Sequence, residues 1–115
     1  MIPLLTPTRE VIAVELQAHG HTKDIDRPFT FENTADDVAA MLAQLHIAKA
    51  DVLGFSNGGT TALQIAIRHP AVVNRLIIAS ANYSRAGMQS WFFPMMEKGT
   101  FADMPQQYKD AYLKI

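Results

Sequence analysis

Gly54-Phe55-Ser56-Asn57-Gly58 sets a serine between two glycines, each two residues away, and Gly59 follows directly. A serine hydroxyl acts as a nucleophile when it stands clear of its neighbours and when donors meet the charge that develops on the attacked oxygen. A tight turn from a strand into a helix supplies both conditions. The residue at its tip takes a strained backbone, and the positions two residues away must be tiny to avoid collision, which Gly54 and Gly58 satisfy. Gly59 allows the following helix to pack closely. The backbone N–H of Asn57, at the start of that helix, points to where an oxyanion would form, with the helix dipole behind it. The alternative is a glycine-rich turn with an incidental serine. The position of the pentapeptide, between an apolar run and a helical pattern, favours the nucleophile. Phosphate-binding loops fit less well: a dinucleotide fingerprint wants glycine where Ser56 stands, and a phosphate loop wants lysine near Thr60.

Such a turn needs a strand before it and a helix after it, and the surrounding sequence provides them. Asp51 to Phe55 is a short apolar run that enters the turn, and Thr60 to His69 has helical spacing through Leu63, Ile65 and Ala66 before Pro70 stops it. Val72 to Ala79 reads as a further strand. Upstream, Glu10 to Leu16 is a β-branched run expected to be a mostly buried strand, and it ends at a turn marked by Gly20. A polar loop through Pro28 leads to a helix carrying Val38, Met41, Leu42 and Leu45, with Thr30 or Asn33 as its N-cap. Beyond Ser80 the chain is rich in aromatic residues and methionine, with one helix expected after Pro94 and another after Pro105. The alternation predicts an α/β fold, a parallel sheet of about three strands with helical crossovers.

Composition narrows the partners. The 115 residues allow one domain; 49% are hydrophobic and 18% charged, the balance of a globular chain. A net charge of −1 without blocks of like charge argues against nucleic acid or an anionic membrane as the main partner. Cysteine is absent, which excludes disulfides and thiolate metal sites and fits a reducing compartment. The first residues form neither a signal peptide nor a membrane span, so a cytoplasmic location is the default. No metal and no organic cofactor is expected.

The run Val11 to Thr22, containing Ala18-His19-Gly20-His21, resembles the strand and Gly-His-Gly turn of the α/β-hydrolase superfamily. Ala35-Asp36-Asp37-Val38 is similar to the helix that follows that turn. Ala50 to Gly59 resembles the nucleophile elbow, and Arg68-His69-Pro70 with Val73 to Ala79 the next helix end and strand. The resemblance covers about Glu10 to Ser80. Glu15 stands where many relatives have aspartate, and Ala18 where many have glycine.

The resemblance implies a serine hydrolase acting on an ester, lactone or similar carbonyl of a small-molecule substrate, with Ser56 as nucleophile and Asn57 as one oxyanion-hole amide. It also implies a partial fold: residues 1–80 as core and residues 81–115 as the start of a cap. The acid and histidine of the triad belong to later strands and loops, and the other oxyanion donor to an earlier one, so the isolated chain is expected to be inactive. A non-catalytic fragment or interaction module that keeps the elbow is the alternative, and a flavodoxin-like phosphate-binding domain is a third. None of His19, His21, His46, His69, Asp24, Asp26, Asp103 or Asp110 is assigned to a triad. His19 and His21 are expected to serve the turn, and His46 a surface turn. In the family's sheet another strand separates Val11–Leu16 from Val52–Phe55. The chain is therefore expected to close that gap by direct pairing or to self-associate, and the apolar cluster of Trp91, Phe92, Phe93, Met95 and Met96 also needs a cover.

Overall fold

The structure is a computed structural model that describes residues 2–114. It opens on a four-residue helical turn, α1 (Ile2–Leu5), too short for its apolar residues to have announced it. The first long element is α2 (Phe31–Gln44), and Thr30 is its cap. The Thr30 side chain accepts a hydrogen bond from the Asn33 N–H at 3.1 Å, and the Thr34 hydroxyl donates to the Thr30 carbonyl at 2.8 Å. Thr34, Ala35, Val38, Ala39 and Leu42 form the buried stripe of α2, recurring at the spacing of one helix face. The chain reverses just past the helix, where His46 takes a φ of 57°.

The next three elements form one unit: β1 (Ala50–Phe55), α3 (Asn57–Arg68) and β2 (Val73–Ala79). The strands are parallel, with Val52 beside Leu76, Leu53 beside Ile77 and Phe55 beside Ala79. A parallel pair requires a crossover, and α3 provides it, lying against both strands while α2 packs on α3. Pro70 has no N–H to continue the helix, and a 3-10 turn over Pro70–Val72 carries the chain into β2. Ala35, Val38, Leu42 and Ile65 make the centre of the core, and Val52 and Val73 from the strands and Val72 from the 3-10 turn pack against it. Burial of Ile65, 2% exposed, is worth about 2 kcal/mol. The other face of the sheet is open: Leu53, Phe55 and Ile77 are 49%, 67% and 56% exposed.

Two strands are present among the described residues, not three. Glu10 to Leu16 forms no ladder, and the expected direct pairing across to β1 does not occur. An apolar run becomes a strand only where another backbone meets its N–H and C=O groups, and no strand adjoins this one. Leu16 alone packs against the core, while Ile12 and Val14 are each 40% exposed. The segment is fastened by side chains: Arg9 Nη1 donates to Asp51 Oδ2 at 2.7 Å, and the Thr22 hydroxyl donates to the Glu15 carbonyl at 2.8 Å.

Beyond β2 come α4 (Phe92–Lys98) and α5 (Gln106–Tyr112), with 3-10 turns at Arg85–Gly87 and Phe101–Asp103. α4 begins two residues ahead of Pro94, which sits in the first turn where its missing N–H costs nothing. Neither helix buries a residue. Trp91, Phe92 and Phe93 stack edge to face, and the Arg85 guanidinium lies 3.8 Å over the Phe93 ring. Among the described residues no helix is long and apolar enough to cross a membrane.

Candidate active site

Ser56 sits between β1 and α3 with φ 54° and ψ −121°. A positive φ is uncommon for a residue with a side chain, and this ψ lies far from the small left-handed well near +30° to +60°. Holding a residue in such a region costs about 1–3 kcal/mol, so the surroundings must enforce it. They do so from both sides. The Ser56 N–H donates to the carbonyl of Ala79, the last residue of β2, at 2.9 Å. Behind the turn, α3 closes directly onto β1: a Cβ on Gly54 would fall 2.1 Å from the Gly58 carbonyl oxygen and 2.7 Å from the Gly59 nitrogen. Those are backbone atoms and have nowhere to go. A Cβ on Gly59 would likewise stand 2.7 Å from the Ala81 methyl.

Gly58 departs from the expectation. A Cβ there would meet nothing within 4 Å, so the crowding falls on Gly54 and Gly59. Gly58 matters instead through its carbonyl, which is what a side chain at Gly54 would meet.

α3 begins at Asn57, three residues ahead of the Thr60 start expected from the apolar pattern. Gly58 and Gly59 are poor helix formers and hid the first turn. Ser56 and Asn57 are both exposed. The first-turn N–H groups of α3, that of Asn57 among them, have no acceptor within the helix and carry its positive dipole end. The Ser56 side chain makes no capping bond to them. The turn therefore sets an exposed serine directly before the first residue of a helix whose leading N–H groups lack intrahelical acceptors.

Three of the four histidines are engaged elsewhere, and the fourth lies in a surface turn. His19 Nδ1 lies 2.8 Å from the Gln17 carbonyl and its ring packs on Phe29. His21 donates its N–H to Glu15 Oε2 at 2.8 Å, with Nδ1 at 3.1 Å from the same oxygen. These bonds, the backbone one foremost, hold the Glu15 carboxyl below the usual carboxylate range. His46 lies exposed in the turn after α2. His69 caps the far end of the 12-residue α3, roughly 18 Å from Ser56, where its Nε2 donates to Asp36 Oδ1 at 2.7 Å. Of the aspartates, Asp103 accepts from the Thr100 N–H and hydroxyl, and Asp110 accepts from Gln106. Among the described residues, no cluster of three or more His, Cys, Asp or Glu could hold a metal ion.

Three arrangements escaped the sequence. Arg68 makes a two-pronged pair with Asp36, Nε to Oδ1 at 2.9 Å and Nη2 to Oδ2 at 2.7 Å, and with His69 it ties the end of α3 to the start of α2. Buried Gln17 donates to Asp24 Oδ1 at 2.7 Å and accepts from Arg27 Nε at 2.9 Å, and Arg27 also pairs with Asp37. Asp24 is thus a partner in the fold rather than a plain loop residue. Ser80, the residue after β2, has a φ of 53°, as Ser56 has after β1. Register alone could have placed those two serines side by side; the other two depend on folding that no local spacing encodes.

The likenesses to known proteins concern the fold. A family model described as the alpha/beta hydrolase fold matches residues 1–110. The pimeloyl-[acyl-carrier protein] methyl ester esterase of Neisseria meningitidis is 40% identical over 85 residues, covering 74% of this chain and 31% of the esterase. The human serine hydrolase BPHL is 35% identical over 75 residues, or 63% of this chain and 26% of that protein. A solved structure described as Est816, an N-acyl homoserine lactone degrading enzyme, superposes with a TM-score of 0.65 at 26% identity, over 76% of this chain and 34% of that one. The chain thus spans about a third of the length of the relatives it matches. With its two parallel strands, its crossover helix and the turn between them, the chain belongs to the α/β-hydrolase fold family.

Proposed function

We propose that this chain carries the nucleophile of a serine hydrolase. Ser56 Oγ attacks the carbonyl carbon of an ester, a lactone or a similarly activated acyl compound, forming the Oγ–C bond as the carbonyl electron pair moves onto oxygen and the hydroxyl proton passes to a general base. The Asn57 N–H receives that oxyanion. Collapse of the tetrahedral adduct breaks the bond from the acyl carbon to the leaving oxygen, which takes back the proton held by the base; an ester releases its alcohol, a lactone opens its ring, and water then hydrolyses the acyl-serine. The observation that carries this is the backbone of Ser56, strained and exposed at the head of a helix, with Gly54 pressed against Gly58 to keep it there. The esterase and lactone-degrading relatives support the substrate class.

The base is the unfilled role. Every described histidine has another partner or lies away from the turn, which favours a second reading in which the isolated chain keeps the turn without using it. One experiment separates the two. The chain is treated with a fluorophosphonate and the adduct is located by peptide mass, with and without imidazole as an exogenous base. The expected adduct forms at Ser56 in preference to Ser80, Ser84 and Ser90, forms faster with imidazole, and disappears in Ser56→Ala. A residual advantage is expected without base, because oxyanion donors and binding alone sustain about 10³-fold catalysis in a crippled triad. Labelling spread evenly over the four serines, or none, overturns the nucleophile and leaves the non-catalytic reading.

A further inference from the structure

The strained turn is held by something, and the chain leaving β2 touches it three times. The Ser56 N–H donates to the Ala79 carbonyl at 2.9 Å. The Ala81 methyl lies so close to Gly59 that no Cβ would fit between them. The Thr60 hydroxyl, one turn into α3, donates to the Asn82 carbonyl at 3.1 Å. Between these contacts Ser80 takes a positive φ of 53°, the kink that lets the three residues after the strand still follow the start of the helix. From these contacts we infer that Ala79–Asn82 is a brace that fixes the conformation of Ser56, and that Thr60 is the positioning residue that fastens it.

The physical logic runs through Thr60. Without a fastening, residues leaving a strand peel into solvent, and the Ala79 carbonyl would be free to turn from Ser56. The Thr60 hydroxyl pins the far end of the brace to the same helix whose first turn follows Ser56. A half-buried threonine in a helix can instead bond back to its own preceding turn, but here its proton goes across to Asn82. The brace is thereby clamped at both ends, by Ser56 at Ala79 and by Thr60 at Asn82. A clamped backbone at Ser56 fixes the direction in which its Cβ leaves the turn, and with it the base from which the hydroxyl projects.

The inference rests on the proposed function for its chemical meaning, and the test keeps the two apart. Hydrogen exchange of the Ser56 N–H is followed by NMR in the wild-type chain, in Thr60→Val, which keeps the shape and loses the hydroxyl, and in Thr60→Ser, which keeps the hydroxyl. The N–H of Ile65, in the core of the same helix, is the internal reference. Exchange at Ser56 should rise roughly fivefold in Thr60→Val, as expected for one lost hydrogen bond, should stay slow in Thr60→Ser, and should leave Ile65 unchanged. If Thr60→Val does not fold, Ala81→Gly, which removes the methyl against Gly59, gives the same comparison. Unchanged exchange at Ser56, or equal acceleration at Ser56 and Ile65, overturns the brace. Fluorophosphonate labelling of the same variants reports separately: a wild-type chain that shows the exchange pattern and does not label at Ser56 refutes the nucleophile and leaves the brace standing.

Discussion

Residues 30–80 and residues 81–114 are both rich in apolar side chains, yet only the first group buries them. In α2 and α3 the apolar residues recur on one face, two helices present those faces to each other and to a sheet, and Ala35, Ala62 and Ile65 are almost fully enclosed. In α4 and α5 the helices are seven residues each, bury no residue, and leave Met96 60% and Tyr108 59% exposed. Hydrophobic content is therefore a demand for burial, and geometry decides whether the demand is met. The turn at Ser56 lies on the settled side of this divide, and the brace that follows β2 is the last part of the chain to be drawn into it.

The sharpest break of that contrast is a pair of truncations. Ile65→Ala should cost about 2–5 kcal/mol in denaturant unfolding, because it opens a cavity in a closed core. Met96→Ala should cost under about 0.5 kcal/mol, as expected of a surface change. Equal costs would mean that the C-terminal helices are packed and that the division is wrong.

A second pair sharpens the contrast inside the turn itself. Gly54→Ala pushes a methyl into the Gly58 carbonyl and should cost about 1–3 kcal/mol or more, as overpacking does. Gly58→Ala places a methyl in open space within a helix and should stabilise by about 0.4–1 kcal/mol. Thermal unfolding of the two variants in opposite directions supports the assignment of the crowding; loss of stability in both contradicts it.

The smallest effect concerns the clamp between the two long helices. Hydrogen bonds from Arg68 first, and then from His69, hold the Asp36 carboxyl down to about 2 from 3.8. A carboxylate depressed in the folded state contributes its stability above the unfolded value and loses it as pH falls through the folded one. The clamp should therefore weaken on acidification from about pH 4 to about pH 2. Asp36→Asn should flatten that part of the stability curve and leave the Ile65 core intact. Because the pair is exposed, added salt should shrink the effect. An unchanged acid limb in Asp36→Asn removes the clamp from the account.

Particular residues show what the sequence could and could not carry. α2 and α3 were legible because Val38 and Leu42, or Leu63 and Ala66, recur at helical spacing, and because Thr30 and Pro70 mark ends through local chemistry. β1 and β2 were legible because residues 51–55 and residues 72–79 read as short apolar runs. Glu10 to Leu16 was misread for a related reason: a β-branched run records a tendency to be buried, but a strand also needs a partner, and that is a property of other residues. The turn at Ser56 was legible as a spacing, and its strain was inferred correctly in kind. Which glycine faces backbone was not, since Gly54 and Gly58 look equivalent in the pattern and differ only once α3 closes over β1. The Asp36–Arg68–His69 clamp joins residues more than 30 positions apart and left no local mark.

At position 56 a serine is held in a conformation that a serine resists. Unfolding free energies of Ser56→Gly and Ser56→Ala test it directly, since both remove the hydroxyl and only glycine relieves a positive φ. Relief of strain, less the extra freedom of glycine in the unfolded chain, predicts Ser56→Gly to be the more stable of the two by about 1 kcal/mol. If Ser56→Ala is equally stable or more stable, the backbone at position 56 is not strained and the account fails.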